Sequence, residues 1–182
     1  MIIGITGTLG AGKGTIVEYL KGKGFNHYSV RKYLTEEIKR RGLPVNRDSM
    51  VLVGNDLRAK NSPSYIVEQL YEKARKEGKN CIIESLRTIG EVEGLKKKGK
   101  FFLFAVDAEP KTRYERAVGR GSETDKVSYE TFLENEKREM NSNDPNKQNI
   151  SACMKMADFK INNSGTIKEL HNKIEEILKK LN

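Results

Sequence analysis

The sequence predicts an α/β protein: a parallel sheet with helices packed on both of its faces. Three observations carry that expectation. Apolar, strand-like runs alternate with helix-compatible segments along the 182 residues, the pattern that right-handed crossovers convert into a parallel sheet. The runs Cys81-Ile82-Ile83 and Phe101-Phe102-Leu103-Phe104-Ala105-Val106 lack polar alternation, as strands covered on both faces do. A glycine-rich stretch from Gly7 to Thr15 joins the first apolar run to the first helical segment.

Taken in order, Met1-Ile2-Ile3-Gly4-Ile5 is the first strand. In the stretch after it, Gly7, Gly12 and Lys13 satisfy the G-x-x-x-x-G-K core of the Walker A pattern, with a strand before and a helix after. A loop that wraps a polyphosphate turns its N–H groups inward, which requires glycines that let the chain approach the oxygens. The helix starting near Lys13 adds its positive dipole end and unpaired donors, and the Lys13 ammonium reaches the outer phosphates. Gly7, Leu9, Gly10, Ala11, Gly12, Lys13, Gly14 and Thr15 are therefore assigned to nucleotide binding. In the general pattern Ser or Thr follows the lysine; here Gly14 does, and the threonine comes one later.

A helix is expected over 15–23, with Ile16, Val17 and Leu20 at core spacing, then a second strand over 25–30. Helices follow over 31–41, stopped by Gly42 and Pro44, and over 48–59, capped by Asp48 or Ser49 with Val51, Leu52 and Leu57 facing inward. Ser62 and Pro63 are placed to cap and begin a helix over 64–77. The third strand is 80–84, followed by a helix over 89–98 and a fourth strand over 100–106. A short edge strand over 158–161 precedes a last amphipathic helix over 166–181, whose apolar face is Ile167, Leu170, Ile174, Ile177, Leu178 and Leu181. Residues 119–149 are the least regular and read as either a mobile lid or a solvated helical insert. Ligand binds at the carboxyl ends of such strands, where the glycine loop, Glu84, Asp107 and the turn after Ser29 all fall.

With 36% hydrophobic residues and no linker-like stretch, residues 1–182 are expected to form one domain. No apolar run approaches the ~20 residues that span a bilayer, and the chain enters a strand where a signal peptide would stand, so no membrane association and a cytoplasmic location are expected. Cys81 and Cys153 read as packing residues. The net charge of +9 suits a polyanion, either nucleic acid or a pair of nucleotides. Lys96-Lys97-Lys98 and Lys179-Lys180 read as solvated helix ends, and no aromatic residues interleave with arginine, so nucleic acid is the less favoured partner.

Phosphoryl transfer demands positioning, a metal, exclusion of water and positive charge around the moving group. Arginines stand in three places. Arg87 follows Glu84, and an acid at the end of an apolar strand beside a Walker loop suits Mg²⁺, with Thr15 as a second oxygen donor through water. Arg113, Arg116 and Arg120 share one helical face, with Arg138 beyond, although Glu115, Glu134, Glu136 and Glu139 offer pairs at helical spacing. Ser29 and Arg31 follow the second strand, and Asn55, Asp56 and Arg58 lie on a later helix, while Arg40, Arg41 and Arg47 read as surface charge. Asp107 either orients the following helix, binds water near Mg²⁺, caps that helix or stabilises the Pro110 turn. The sequence identifies no partner for His27 or His171.

The Gly-Lys-Gly-Thr variant, the Glu84-Ser85-Leu86-Arg87 segment and the 113–138 region together resemble the nucleoside monophosphate kinase family of P-loop proteins. Glu84 to Arg87 followed by Glu91-Val92-Glu93 is similar to adenylate-kinase-related members. The resemblance implies a P-loop NTPase fold of three α/β/α layers, a five-stranded parallel sheet of order 2-3-1-4-5, an acceptor-binding helical region at 30–79 and a lid-like region at 110–145. It implies that ATP·Mg²⁺ donates its γ-phosphate to a nucleoside or deoxynucleoside monophosphate. Lys13, Arg87, Arg116, Arg120 and Arg138 would then be catalytic, and Ser29, Arg31, Asn55, Arg58 and Arg87 would bind the acceptor, with Glu84 and Thr15 serving the metal. Glu84 stands where Asp is usual and Ser85 where Gly is usual. The alternatives are a dephospho-CoA kinase-like enzyme, which needs a base near the end of strand two where Ser29, Val30 and Arg31 offer no carboxylate, and a nucleotide-regulated RNA- or protein-binding protein.

Overall fold

A computed structural model describes residues 1–121 and 127–181. Five strands, β1 (Ile2–Gly7), β2 (Asn26–Ser29), β3 (Cys81–Glu84), β4 (Phe101–Asp107) and β5 (Phe159–Asn162), form one parallel sheet in the order β2-β3-β1-β4-β5. This is the expected P-loop NTPase arrangement. The register sets Ser29 beside Glu84, Glu84 beside Ile5, Gly7 beside Val106 and Asp107 beside Asn162. The polar strand ends therefore meet along one edge.

The helices are α1 (Lys13–Gly22), α2 (Val30–Arg40), α3 (Arg47–Lys60), α4 (Tyr65–Glu77), α5 (Ile89–Lys96), α6 (Pro110–Gly119), α7 (Tyr129–Met140), α8 (Ile150–Lys155) and α9 (Ile167–Leu181). Alternate strand residues point to opposite faces, and both are apolar, so the sheet divides two cores. Ile3, Ile5, Ile82, Phe104 and Val106 pack against α1 and α9. Ile2, Ile83 and Leu103 pack with residues of α2, α3, α4 and α5 and with Cys153 of α8. Burial pushes the Cys81 and Cys153 thiols up to about 11 and about 12, so both stay protonated and act as packing groups. No described helix is long and apolar enough to cross a membrane.

Several local expectations are corrected. Val30 begins α2 and does not end β2, because Ser29 caps the helix by accepting from Lys32 N. Asn46, not Asp48 or Ser49, caps α3, its Oδ1 accepting from Ser49 N at 2.8 Å. The cap position of α4 is Ser64, while Ser62 closes the preceding turn through its carbonyl. Leu52 and Ile167, expected on buried faces, are 63% and 64% exposed. The irregular 119–149 region contains the regular helix α7, capped by Ser128, whose Phe132 packs with Leu9 and Ala117 in a third small core. Residues 122–126 of the lid-like region lie outside the described part.

Candidate functional site

The glycine loop is held by close approach. A Cβ on Gly7, at φ +138°, would lie 2.0 Å from the Val106 carbonyl oxygen, and one on Gly10 would lie 2.1 Å from that of Arg113. Gly14 differs, since a Cβ there meets nothing within 4 Å. Three hydrogen bonds tie the loop and the strand before it to their surroundings: Thr8 Oγ1 to Asp107 Oδ1 at 2.6 Å, Thr6 Oγ1 to the Leu86 carbonyl at 2.8 Å, and Asn163 Nδ2 to the Ala11 carbonyl at 2.8 Å. Asp107 thus anchors the loop to the end of β4, and the cap position of α6 falls to Glu109. Lys13 Nζ donates to the Gly7 and Thr8 carbonyls at 2.9 and 2.7 Å. Burial and the neighbouring Arg87 charge push the Lys13 ammonium down to about 7, against the opposing pull of Glu84; a polyphosphate beside it favours the charged form.

Two cavities flank this loop. One, of about 720 Å³, is lined by Gly10, Gly12, Gly14 and Thr15 and by Arg116 and Arg120 of the α6 end. Arg116 Nη1 donates to the Asn163 carbonyl at 2.8 Å, and the Arg120 charge reaches Lys13. The arginines expected to act together are divided. Arg113 is buried, donating through Nε to the Ala108 carbonyl at 2.7 Å, through Nη1 to the Leu9 carbonyl at 3.3 Å, and to Glu136 of α7. Arg138 reaches Asp48 of α3 at 3.2 Å, on the opposite flank of the loop.

The other cavity, of about 50 Å³, lies between Leu9 of the loop and helices α2 and α3 and is lined by Arg31, Arg47, Arg58, Arg87 and Glu139. Arg58, expected as an acceptor ligand, is 2% exposed and donates through Nε and Nη2 to Glu91 Oε1 at 3.1 and 2.8 Å. The other oxygen of Glu91 accepts from the backbone N–H groups of Arg87 and Thr88 at 2.8 and 3.2 Å. One fully buried carboxylate therefore sets both an arginine side chain and the backbone of a second arginine. Arg87 Nη1 donates to Glu139 and, at 3.0 Å, to Gln148, while Arg47 Nη2 lies 2.7 Å from the other oxygen of Glu139. Burial raises the Glu139 carboxyl, but the Arg87 and Arg47 charges outweigh it and hold the group below its ordinary range. Ser29 and Asn55 are not among the residues lining this cavity: Ser29 serves as a helix cap, and Asp56 pairs with Arg41 and Lys60.

Glu84 accepts from Ser85 Oγ at 2.5 Å and lies 3.2 Å from His27 Nε2. Burial raises its carboxyl, yet the His27 and Ser85 bonds and the Lys13 charge hold it at about 2. Ser85 has φ +72°, a left-handed conformation costing a serine roughly 1–2 kcal/mol, which explains why glycine is usual there; its N–H bond to the Ile5 carbonyl at 3.0 Å and its bond to Glu84 help fix it. Among the described residues no cluster of three His, Cys, Asp or Glu side chains is placed to hold a metal by itself. A hard carboxylate and the half-buried Thr15 hydroxyl beside a phosphate loop nevertheless fit Mg²⁺, which takes few protein ligands and keeps several waters.

Arg47, Glu91 and Glu139 escaped sequence reasoning. Glu91 carried a readable signal, because Thr88-Ile-Gly-Glu91 is a capping box. Glu139 was legible only as a partner for arginine at helical spacing, Arg47 carried no signal, and the His27 partner, Glu84, is a neighbour only through the sheet.

The profile of a family described as an AAA domain matches residues 3–142. A UPF0200 protein of Methanococcus maripaludis strain C6 is 30% identical over 184 residues, covering 99% of this chain and 97% of its own. Among solved structures, shikimate kinase from Bacteroides thetaiotaomicron superposes with a TM-score of 0.58 at 14% identity, covering 98% of each chain. Dephospho-CoA kinase from Campylobacter jejuni gives 0.54 at 16% identity, covering 99% of this chain and 96% of that one.

Proposed function

The chain belongs to the AAA domain family and to the UPF0200 proteins, with a P-loop kinase fold, and from that premise we propose that it is an ATP-dependent phosphotransferase acting on a nucleoside or deoxynucleoside monophosphate. One observation carries the reading: two arginine-lined cavities flank a single glycine loop, so two phosphorylated ligands can address each other across that loop. The larger cavity takes ATP, whose triphosphate lies on the loop from Gly7 to Thr15, with Arg116 and Arg120 alongside. The smaller takes the acceptor phosphate, served by Arg31 and Arg87, while the Arg58–Glu91 pair fixes the cavity wall. Thr15 and Glu84 would hold Mg²⁺, which would supply charge neutralisation on the phosphates. The γ-phosphoryl group passes to an acceptor phosphate oxygen, leaving ADP and a nucleoside diphosphate. No general base is required, because the acceptor oxygen is already ionised.

A hydroxyl acceptor, as the names of the two structural neighbours would suggest, is less well supported. It needs a base, and the carboxylate lining the acceptor cavity, Glu139, is held as an anion by Arg47 and Arg87, which makes it a poor proton acceptor. The positive charge alone motivates the RNA-binding alternative. A panel of nucleoside and deoxynucleoside monophosphates assayed with ATP·Mg²⁺ tests the proposal. Diphosphate formation well above that of Lys13→Ala is expected with at least one acceptor. Turnover of none, with tight and steeply salt-dependent RNA binding, would overturn it.

A further inference from the structure

Glu139 is an anion inside a cavity built for one. It projects from α7, is 4% exposed, and reaches Arg47 of α3 through one carboxylate oxygen and Arg87, beyond β3, through the other. The volume left around these groups, about 50 Å³, is far below the roughly 300–1,000 Å³ of ordinary ligand pockets. A phosphoryl group is the size of anion that fits. The same helix is tied to the donor side by Glu136, one turn earlier, which holds Arg113 against the Leu9 carbonyl of the glycine loop. α7 therefore bridges both flanks of the loop through two carboxylates, each occupying arginine.

We propose that Glu139 is an internal stand-in for the acceptor's phosphate: it fills the subsite made by Arg47 and Arg87, and an incoming phosphate displaces it and releases α7. The inference rests on the reading of this cavity as the acceptor site. A phosphate dianion and the Glu139 carboxylate cannot share two guanidiniums at close range, since like charges in a buried site repel. Binding must then exchange one for the other, and the measured affinity is the intrinsic affinity reduced by the fraction of molecules in which Glu139 has left. Arg47, taken as surface charge from the sequence, becomes a ligand of the subsite. A purely structural ion pair predicts the opposite sign, because removing one partner would loosen the arginines and weaken anion binding.

The test is titration of inorganic phosphate into the full chain by calorimetry, in wild type, Glu139→Gln and the double variant Glu139→Gln/Arg47→Ala. The stand-in role predicts phosphate binding about tenfold tighter in Glu139→Gln, with the gain lost in the double variant. No gain, or weaker binding, overturns the proposal. A gain that survives Arg47→Ala also overturns it, because the phosphate then does not take the place of Glu139 on Arg47. Hydrogen exchange of wild type keeps the test decisive if Glu139→Gln does not fold: phosphate should speed exchange at amides of 129–140 in wild type but not in Arg47→Ala, and unchanged or slower exchange in wild type refutes displacement. The expected gain together with no turnover of any monophosphate acceptor would leave this subsite standing and remove the proposed reaction.

Discussion

The two flanks of the glycine loop are built from different materials. On the proposed donor side the wall is backbone: glycines pressed against the Val106 and Arg113 carbonyls, an open cavity of about 720 Å³, and arginines at its rim. On the proposed acceptor side the wall is side chains, with guanidiniums on Glu91 and Glu139 and about 50 Å³ remaining. A backbone cradle is preformed, because its donors are fixed by φ and ψ. A charged side-chain cradle has to satisfy its own charges when buried. The first is preformed, and the second is occupied by its own ion pairs.

Variants on the two flanks should therefore fail in different ways. The largest effect is expected for Lys13→Ala, where loss of the ammonium proposed to face the transferred group should lower kcat by about 10²- to 10³-fold, read in a diphosphate-formation assay with both substrates saturating. Next is Glu91→Ala, which leaves the buried Arg58 guanidinium without its carboxylate and should cost about 3–5 kcal/mol in urea unfolding. A loss below about 1 kcal/mol would show that the acceptor wall does not depend on that pair.

Arg87→Ala separates the flanks directly. Loss of a charge-assisted contact to the acceptor should raise the acceptor KM by about tenfold or more, with a much smaller change in the KM for ATP. Equal changes in both would erase the distinction. Gly14→Ala probes the open side: the added Cβ meets nothing within 4 Å and the position lies in the first turn of α1, so thermal unfolding should show stabilisation of about 0.5–1 kcal/mol.

The smallest effect concerns pH, on α2. Hydrogen bonds from Arg40 and Arg41 hold the Glu37 carboxyl at about 2, below its ordinary 4.5. A depressed folded-state value means that the pair stabilises above pH 4.5 and loses that contribution as pH falls towards 2. The stability difference between wild type and Glu37→Gln should shrink across that window, and a constant difference would show that the pair is unconnected with folding.

Much of this architecture was legible in the residues because it is locally encoded. Unbroken apolar runs marked the buried strands, and glycine spacing with Lys13 marked the phosphate loop. The boundaries that moved, at Val30, Arg47 and Tyr65, did so by a few residues, where several Ser, Asn and Asp side chains compete to cap one helix. Ile167 and Leu52 were misplaced because periodicity marks a helical face without saying how far its neighbours extend over it.

The sequence by itself determined the sheet, the glycine loop and the presence of enough arginines for two phosphate sites. Only the tertiary structure decided which arginine meets which acid. With 34 basic and 25 acidic side chains in the chain, pairing by composition is degenerate. Helical spacing left Glu136 and Glu139 as alternative partners for the same arginines, and packing sent one to Arg113 and the other to Arg47 and Arg87. Charge pairing acts through space over a few ångströms, and the distances between these groups exist only once α3, α7 and the end of β3 have packed around the loop.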